Sequence, residues 1–114
     1  MQRARLAVVG LALLWSVQAH AHAQLKQSVP ADGSHLKQPP RELVLTFSEN
    51  VQLTALSLET GGGQASKLRP PAGPHARISV PVTNLHAGSY VVRWRAQGAD
   101  GHVVQGELHF TIAP

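Results

Sequence analysis

The chain has 114 residues, a formal net charge of +4 with neutral histidines, seven histidines and no cysteine. This length favours a single domain, and the missing thiols exclude both disulfide bonds and thiolate metal sites. Lysine and arginine are scattered rather than gathered in a run, which is not the pattern of a nucleic-acid-binding surface.

The N-terminus has the pattern of a secretory signal peptide. Arg3 and Arg5 precede the apolar run 6–15, and small residues follow at Ala19 and Ala21. The apolar run is about half the ~20 residues that a membrane-spanning helix needs. We therefore predict export and cleavage, and no membrane span in the mature chain.

The predicted cleavage follows Ala21, which makes 1–21 the signal peptide and 22–114 the mature domain. Cleavage after Ala19 or Ala23 satisfies the same small-residue rule. Loss of the signal removes two arginines and lowers the net charge from +4 to +2. It also removes Met1, so the mature domain has no methionine.

The mature sequence consists of short alternating runs separated by turn residues. Prolines interrupt 30–40, Gly61–Gly63 predict a flexible turn, and Pro81 indicates an edge strand. No run has a helical period. We predict an all-β, Greek-key β-sandwich of about seven strands. The clearest predicted strands cover 23–29, 42–49, 51–58, 76–82, 89–95 and 103–112.

In the predicted strand 89–95, the period of two puts aromatic and basic side chains on opposite faces. Tyr90 and Trp94 fall on one face, and Arg93 and Arg95 fall on the other. An inward aromatic residue on a central strand is core material, so we assign Trp94 to the core.

The turn Asp100-Gly101-His102 follows this strand and carries a candidate metal-binding pair. In a near-extended chain, residues two apart project from the same face, and Gly101 allows the backbone to bend. The same three residues also suit an ordinary hairpin turn with an exposed histidine.

A histidine at the mature N-terminus strengthens the metal interpretation. His22 would offer its α-amine and its Nδ1 to one ion, and their ordinary pKa values of about 7.7–8.0 and about 6.5 make deprotonation easy near neutral pH. His102 would add a third nitrogen and Asp100 a carboxylate. Nitrogen and oxygen donors of this kind favour Cu(II).

Several short segments, in order along the chain, carry a resemblance to a known family. They are His22-Ala-Gln-Leu25, Ser28-x-Pro-Ala-Asp-Gly33, Leu45-Thr-Phe-Ser-Glu49, Tyr90-x-Val-Arg-Trp-Arg95, Asp100-Gly-His102 and Phe110-Thr-Ile112. Together they resemble the periplasmic copper-resistance protein family CopC, over nearly the whole mature chain.

The resemblance implies an Ig-like or cupredoxin-like sandwich that binds Cu(II) without catalysing a reaction. The implied metal ligands are His22, Asp100 and His102. Glu49 matches an acidic position of the family and lies near the metal, or is simply a solvated charge at a strand end. The implied partner is a CopD-like inner-membrane protein, and we expect a monomer in copper resistance or homeostasis.

Other interpretations remain open at this point. A terminal histidine with a second histidine also resembles the brace of a small mononuclear copper oxidase, and an Ig-like interaction module would need no metal. The family's second, Cu(I) site resembles a methionine-rich loop, which the mature chain lacks. Four further histidines are predicted to be solvated surface residues: His35, His75, His86 and His109.

Overall fold

The computed structural model describes residues 23–114, which form an all-β domain with no helix in this range. The predicted signal peptide and His22 lie outside the described residues. Within 23–114 no helix has the length and apolarity to cross a membrane. The described residues form seven strands: β1 (Leu25–Val29), β2 (Ser34–Leu36), β3 (Glu42–Thr60), β4 (Ala65–Lys67), β5 (His75–Pro81), β6 (Gly88–Gly98) and β7 (Val103–Ile112).

The 19-residue strand β3 connects the two layers of a Greek-key sandwich. Its first part, residues 42–47, pairs antiparallel with β1 on one side and β5 on the other. Its second part, 51–60, pairs antiparallel with β6, and 57–59 also pair with β4. The second layer continues from β6 to β7, and β2 closes it by pairing parallel to β7.

The core lies between these layers and is built by alternation along the strands. In β3, Leu43, Leu45 and Phe47 face inward, and an irregularity between Leu53 and Ala55 shifts the alternation so that later core residues have even numbers. The rings of Phe47 and Trp94 meet edge to face with centroids 5.2 Å apart, which joins the two layers. Trp94 is therefore core material, as predicted, with 8% of its surface exposed.

Tyr90 fixes the connection that leads into β6. Its hydroxyl donates to the His86 carbonyl at 2.7 Å and accepts from the His86 backbone N–H at 2.9 Å. Its ring stacks on Phe110 of the neighbouring strand, with centroids 5.2 Å apart. This arrangement resembles the tyrosine corner of Ig-like sandwiches.

The sandwich class and the edge position of β5 were predicted, but two details differ. The prediction gave residues 42–49 and 51–58 as strand and left Asn50 out, whereas β3 runs through Asn50 as one strand. The short strands β2 and β4 were not among the predicted strands. Each has three residues, which is too short to show a period of two.

Candidate metal centre

The turn between β6 and β7 holds the predicted Asp100-Gly101-His102 segment. The Gly98 N–H donates to the His102 carbonyl at 2.9 Å, and the Gly101 N–H donates to the Gly98 carbonyl at 3.0 Å. Gly101 has φ +87°, in the left-handed region that favours glycine. The backbone of this turn is thus fixed by its own hydrogen bonds at the end of the hairpin.

The side chains of Asp100 and His102 meet in this turn. Asp100 Oδ1 accepts a hydrogen bond from the His102 backbone N–H at 3.0 Å, and Asp100 Oδ2 lies 2.9 Å from His102 Nδ1. The sequence suggested a near-extended segment, whereas a left-handed turn at Gly101 brings the two together. The predicted proximity holds although the backbone shape differs.

This contact decides which imidazole nitrogen a metal would use. When Nδ1 of His102 carries the proton and donates it to Asp100, Nε2 keeps the lone pair needed for coordination. A carboxylate that holds the far nitrogen also orients the ring. The side chains are 65% and 48% exposed for His102 and Asp100, so solvent and ions can approach both.

The start of the described chain lies beside this turn. Ala23 is 4% exposed and belongs to the core. A methyl group at Gly98 would lie 3.8 Å from Ala23 Cβ and 3.2 Å from Asp100 Oδ1, so Ala23 and the carboxylate border the same side of Gly98. The predicted ligand His22, which precedes Ala23 in the chain, lies outside the described residues.

Glu49 lies in the segment of β3 that borders the same end of the sandwich. Gln24 and Ser48 exchange two hydrogen bonds: Gln24 N–H to Ser48 Oγ at 2.9 Å and Ser48 N–H to the Gln24 carbonyl at 2.8 Å. Val51 pairs with Gly98. Glu49 is half-buried between these two anchor points.

The other four histidines are exposed. His109 has an environment that sequence reasoning missed: its backbone N–H donates to Asp32 Oδ1 at 2.8 Å, and its Nδ1 lies 3.6 Å from the same oxygen. Its Nε2 lies 3.7 Å from Glu107 Oε1. The two carboxylates face opposite nitrogens of one ring, which is not a chelating arrangement.

Residues 23–114 contain no group of three or more His, Cys, Asp or Glu side chains that could hold a metal ion. Of the predicted ligands, the structure brings Asp100 and His102 together. It places Glu49 in a strand that leads to the same end of the sandwich.

The family match and the similar known sequences agree with each other. Residues 25–113 match the CopC domain family. A copper resistance protein C of Escherichia coli is 34% identical, over 90% of each chain.

Solved structures agree with the sequence relatives. The crystal structure of CopC from Methylosinus trichosporium OB3b superposes with a TM-score of 0.72 at 27% identity, over 82% of this chain and 95% of that one. PcoC, described as a methionine-rich copper resistance protein from Escherichia coli, gives 0.58 at 31% identity, over 81% of this chain and 99% of that one. The chain therefore belongs to the CopC family.

Proposed function

We propose that the mature protein binds Cu(II) in the periplasm and either sequesters it or passes it to a membrane partner of the CopD type. It acts as a binding protein and carries out no reaction. The proposal rests on the family and on the names of the relatives, which are copper resistance proteins. The proposed ligands are His22, Asp100 and His102.

The observation that carries the metal site is the contact between Asp100 and His102 at an exposed turn. It supplies an oriented imidazole and a carboxylate. Both are donors that suit Cu(II), and neither depends on sulfur. In the contact seen here the carboxylate orients the ring from its Nδ1 side, and direct coordination of the ion by Asp100 would require the carboxylate to leave Nδ1.

The position of Ala23 supports the contribution of His22. Consecutive Cα atoms are about 3.8 Å apart across a peptide bond, and Ala23 is buried beside Gly98 at the start of the turn. Because His22 is bonded to Ala23, the position of Ala23 beside the Asp100 carboxylate supports His22 as the third ligand. The hydrogen bonds between Gln24 and Ser48 hold this segment in place and bring Glu49 into the same region.

The direct test is a Cu(II) titration of the secreted protein, in which the quenching of Trp94 fluorescence reports metal binding. We expect one equivalent of Cu(II), and His102→Ala should weaken it by more than the ~10- to 100-fold typical for loss of an outer-sphere partner. His86→Ala is the matched control, because His86 contacts Tyr90 through its backbone. Equal affinity in the wild type and His102→Ala would contradict the site.

A further inference from the structure

A groove of about 430 Å³ runs along the outer face of the second layer. Its floor is formed by the small side chains of Ala55 and Ser57 in β3. Ser57 pairs with Lys67 on one side and Arg93 on the other, and Ala55 pairs with Arg95. The groove exists because two small residues on the central strand are flanked by long side chains on both neighbours.

The charged side chains that line the groove are all basic. None of the described residues that line it is an aspartate or glutamate. Arg93 is already neutralised, because it forms ion pairs with Glu59 and with Glu107, the latter at 3.0 Å. The hydrogen bonds that Arg93 donates, first to Glu59 and then to Glu107, raise the pKa of its guanidinium.

The remaining two cations of the groove have no such compensation. Neither Lys67 nor Arg95 forms an ion pair with another residue in 23–114. Both are exposed. Together they give the lining of the groove a positive charge that no lining carboxylate offsets.

We propose that this groove docks an acidic, extended segment of a partner protein. Carboxylates two residues apart in an extended peptide lie on one face, about 6.8 Å from each other. The two cations lie on opposite sides of β3, Lys67 beside Ser57 and Arg95 beside Ala55, so a peptide lying over β3 passes between them and can offer a carboxylate to each. Leu68 and Pro70 add an apolar wall against which side chains of the peptide can pack.

An anionic membrane surface fits the groove less well. Lipid recognition of this kind uses clusters of about four to eight Lys or Arg residues on an accessible surface. The groove offers two uncompensated cations within a hollow, which suits a chain that enters it. The protein segment is therefore the proposed occupant.

Docking here would place the partner beside the candidate metal centre. Arg95 and Gly98 belong to the same strand, and three residues of strand span about 10 Å. The turn with Asp100 and His102 begins at Gly98. The groove does not depend on the proposed copper site, however, and it can be tested on metal-free protein.

The test uses a fluorescein-labelled decapeptide of alternating glutamate and alanine and measures its binding by anisotropy at low salt. The Lys67→Gln/Arg95→Gln variant should weaken binding about tenfold, since each exposed charge pair contributes modestly. Lys26→Gln/Lys37→Gln is the matched control: it removes the same charge from exposed positions outside the groove. Thermal unfolding of both variants checks that they are folded.

We expect the control variant to bind like the wild type and a glutamine-alanine decapeptide not to bind. Amide shifts in NMR spectra should move at Ser57 and Gln105 when the acidic peptide is added. Equal loss in both double variants would show unspecific charge attraction and overturn the proposal. So would absence of peptide binding, or binding only to vesicles that contain phosphatidylglycerol.

Discussion

The imidazole of His102 is oriented by a residue only two positions earlier. Asp100 uses one carboxylate oxygen for the backbone N–H of residue 102 and the other for its Nδ1. The side chain of Asp100 therefore fixes both the shape of the turn and the orientation of the ring. Gly101 makes this possible because its φ of +87° is costly for other residues.

Asp100→Asn separates the charge of this side chain from its shape. The amide oxygen can still accept from the His102 backbone N–H, so we expect the turn to persist. The carboxylate charge is lost, and the Cu(II) affinity should fall by about 10- to 100-fold or more. The measurement is a competitive Cu(II) titration, with unfolding midpoints in urea as the control for the fold. An unchanged affinity would mean that the carboxylate plays no part in binding.

Gly106 is required by the neighbouring Trp94. A methyl group at residue 106 would lie 2.7 Å from Cζ2 and 2.9 Å from Cε2 of the indole. Gly106→Ala should therefore lower the free energy of unfolding by about 1–3 kcal/mol, the usual cost of overpacking. Gly62→Ala is the control, since its nearest neighbour would be 3.9 Å away. Urea unfolding followed by Trp94 fluorescence measures both, and equal midpoints would contradict the argument.

At the scale of the elements, local patterns predicted what depends on neighbours in sequence. The period of two placed Tyr90 and Trp94 inward and Arg93 outward, and the two-residue spacing predicted that Asp100 meets His102. Contacts between distant parts of the chain were not predictable in this way. Asp32 and His109, which are 77 positions apart, meet only because β2 pairs parallel to β7.

The same distinction explains the errors in strand assignment. β3 continues through Asn50 because β5 and β6 both pair with Val51, and no single-sequence pattern shows such partners. β2 forms because Gly33 and its neighbours meet β7, with the Gly33 N–H donating to the His109 carbonyl at 2.6 Å. Tertiary pairing, rather than propensity, creates these elements.

The entry into β6 depends on the hydroxyl of Tyr90. Tyr90→Phe removes both hydrogen bonds to the His86 backbone while keeping the ring stacked on Phe110. We expect a loss of about 1–3 kcal/mol in the free energy of unfolding, because part-buried backbone groups lose their partner. Urea unfolding measures this. A variant as stable as the wild type would show that water replaces the hydroxyl.

At the scale of the whole molecule, the amino-acid composition bears on which oxidation state of copper the proposed site would hold. The chain has no cysteine, and Met1 is its single methionine. Its relative PcoC is described as methionine-rich. The soft ligands that favour Cu(I) are thus missing from the mature chain as we predict it.

We therefore expect no tight Cu(I) site separate from the Cu(II) site. A competition titration with a Cu(I)-specific chelator under anaerobic conditions measures this directly. The Cu(II)-loaded protein should accept no second tight equivalent of Cu(I). A second equivalent that survives in His102→Ala would establish an independent Cu(I) site and contradict the prediction.

The bond at which the signal peptide is cleaved determines whether the mature N-terminus can take part in the proposed Cu(II) site. If cleavage follows Ala21, the α-amine and Nδ1 of His22 can bind the same ion, and both lie one residue from the buried Ala23. One residue added before His22 moves the amine away from its own imidazole while leaving the described fold unchanged. We expect this extension to abolish tight Cu(II) binding that depends on His102.

Intact mass of the secreted wild type must first identify the cleaved bond. Cleavage after Ala19 would leave His20-Ala21-His22, whose third-position histidine binds Cu(II) with the amine and backbone amides, independent of the fold. A Cu(II) titration in urea distinguishes these two kinds of binding. Unfolding should abolish binding at the folded site, which requires the turn at Asp100 and His102, and should leave the fold-independent binding intact. An extended protein that binds Cu(II) as tightly as the wild type, and still requires His102, would show that His22 contributes only its side chain.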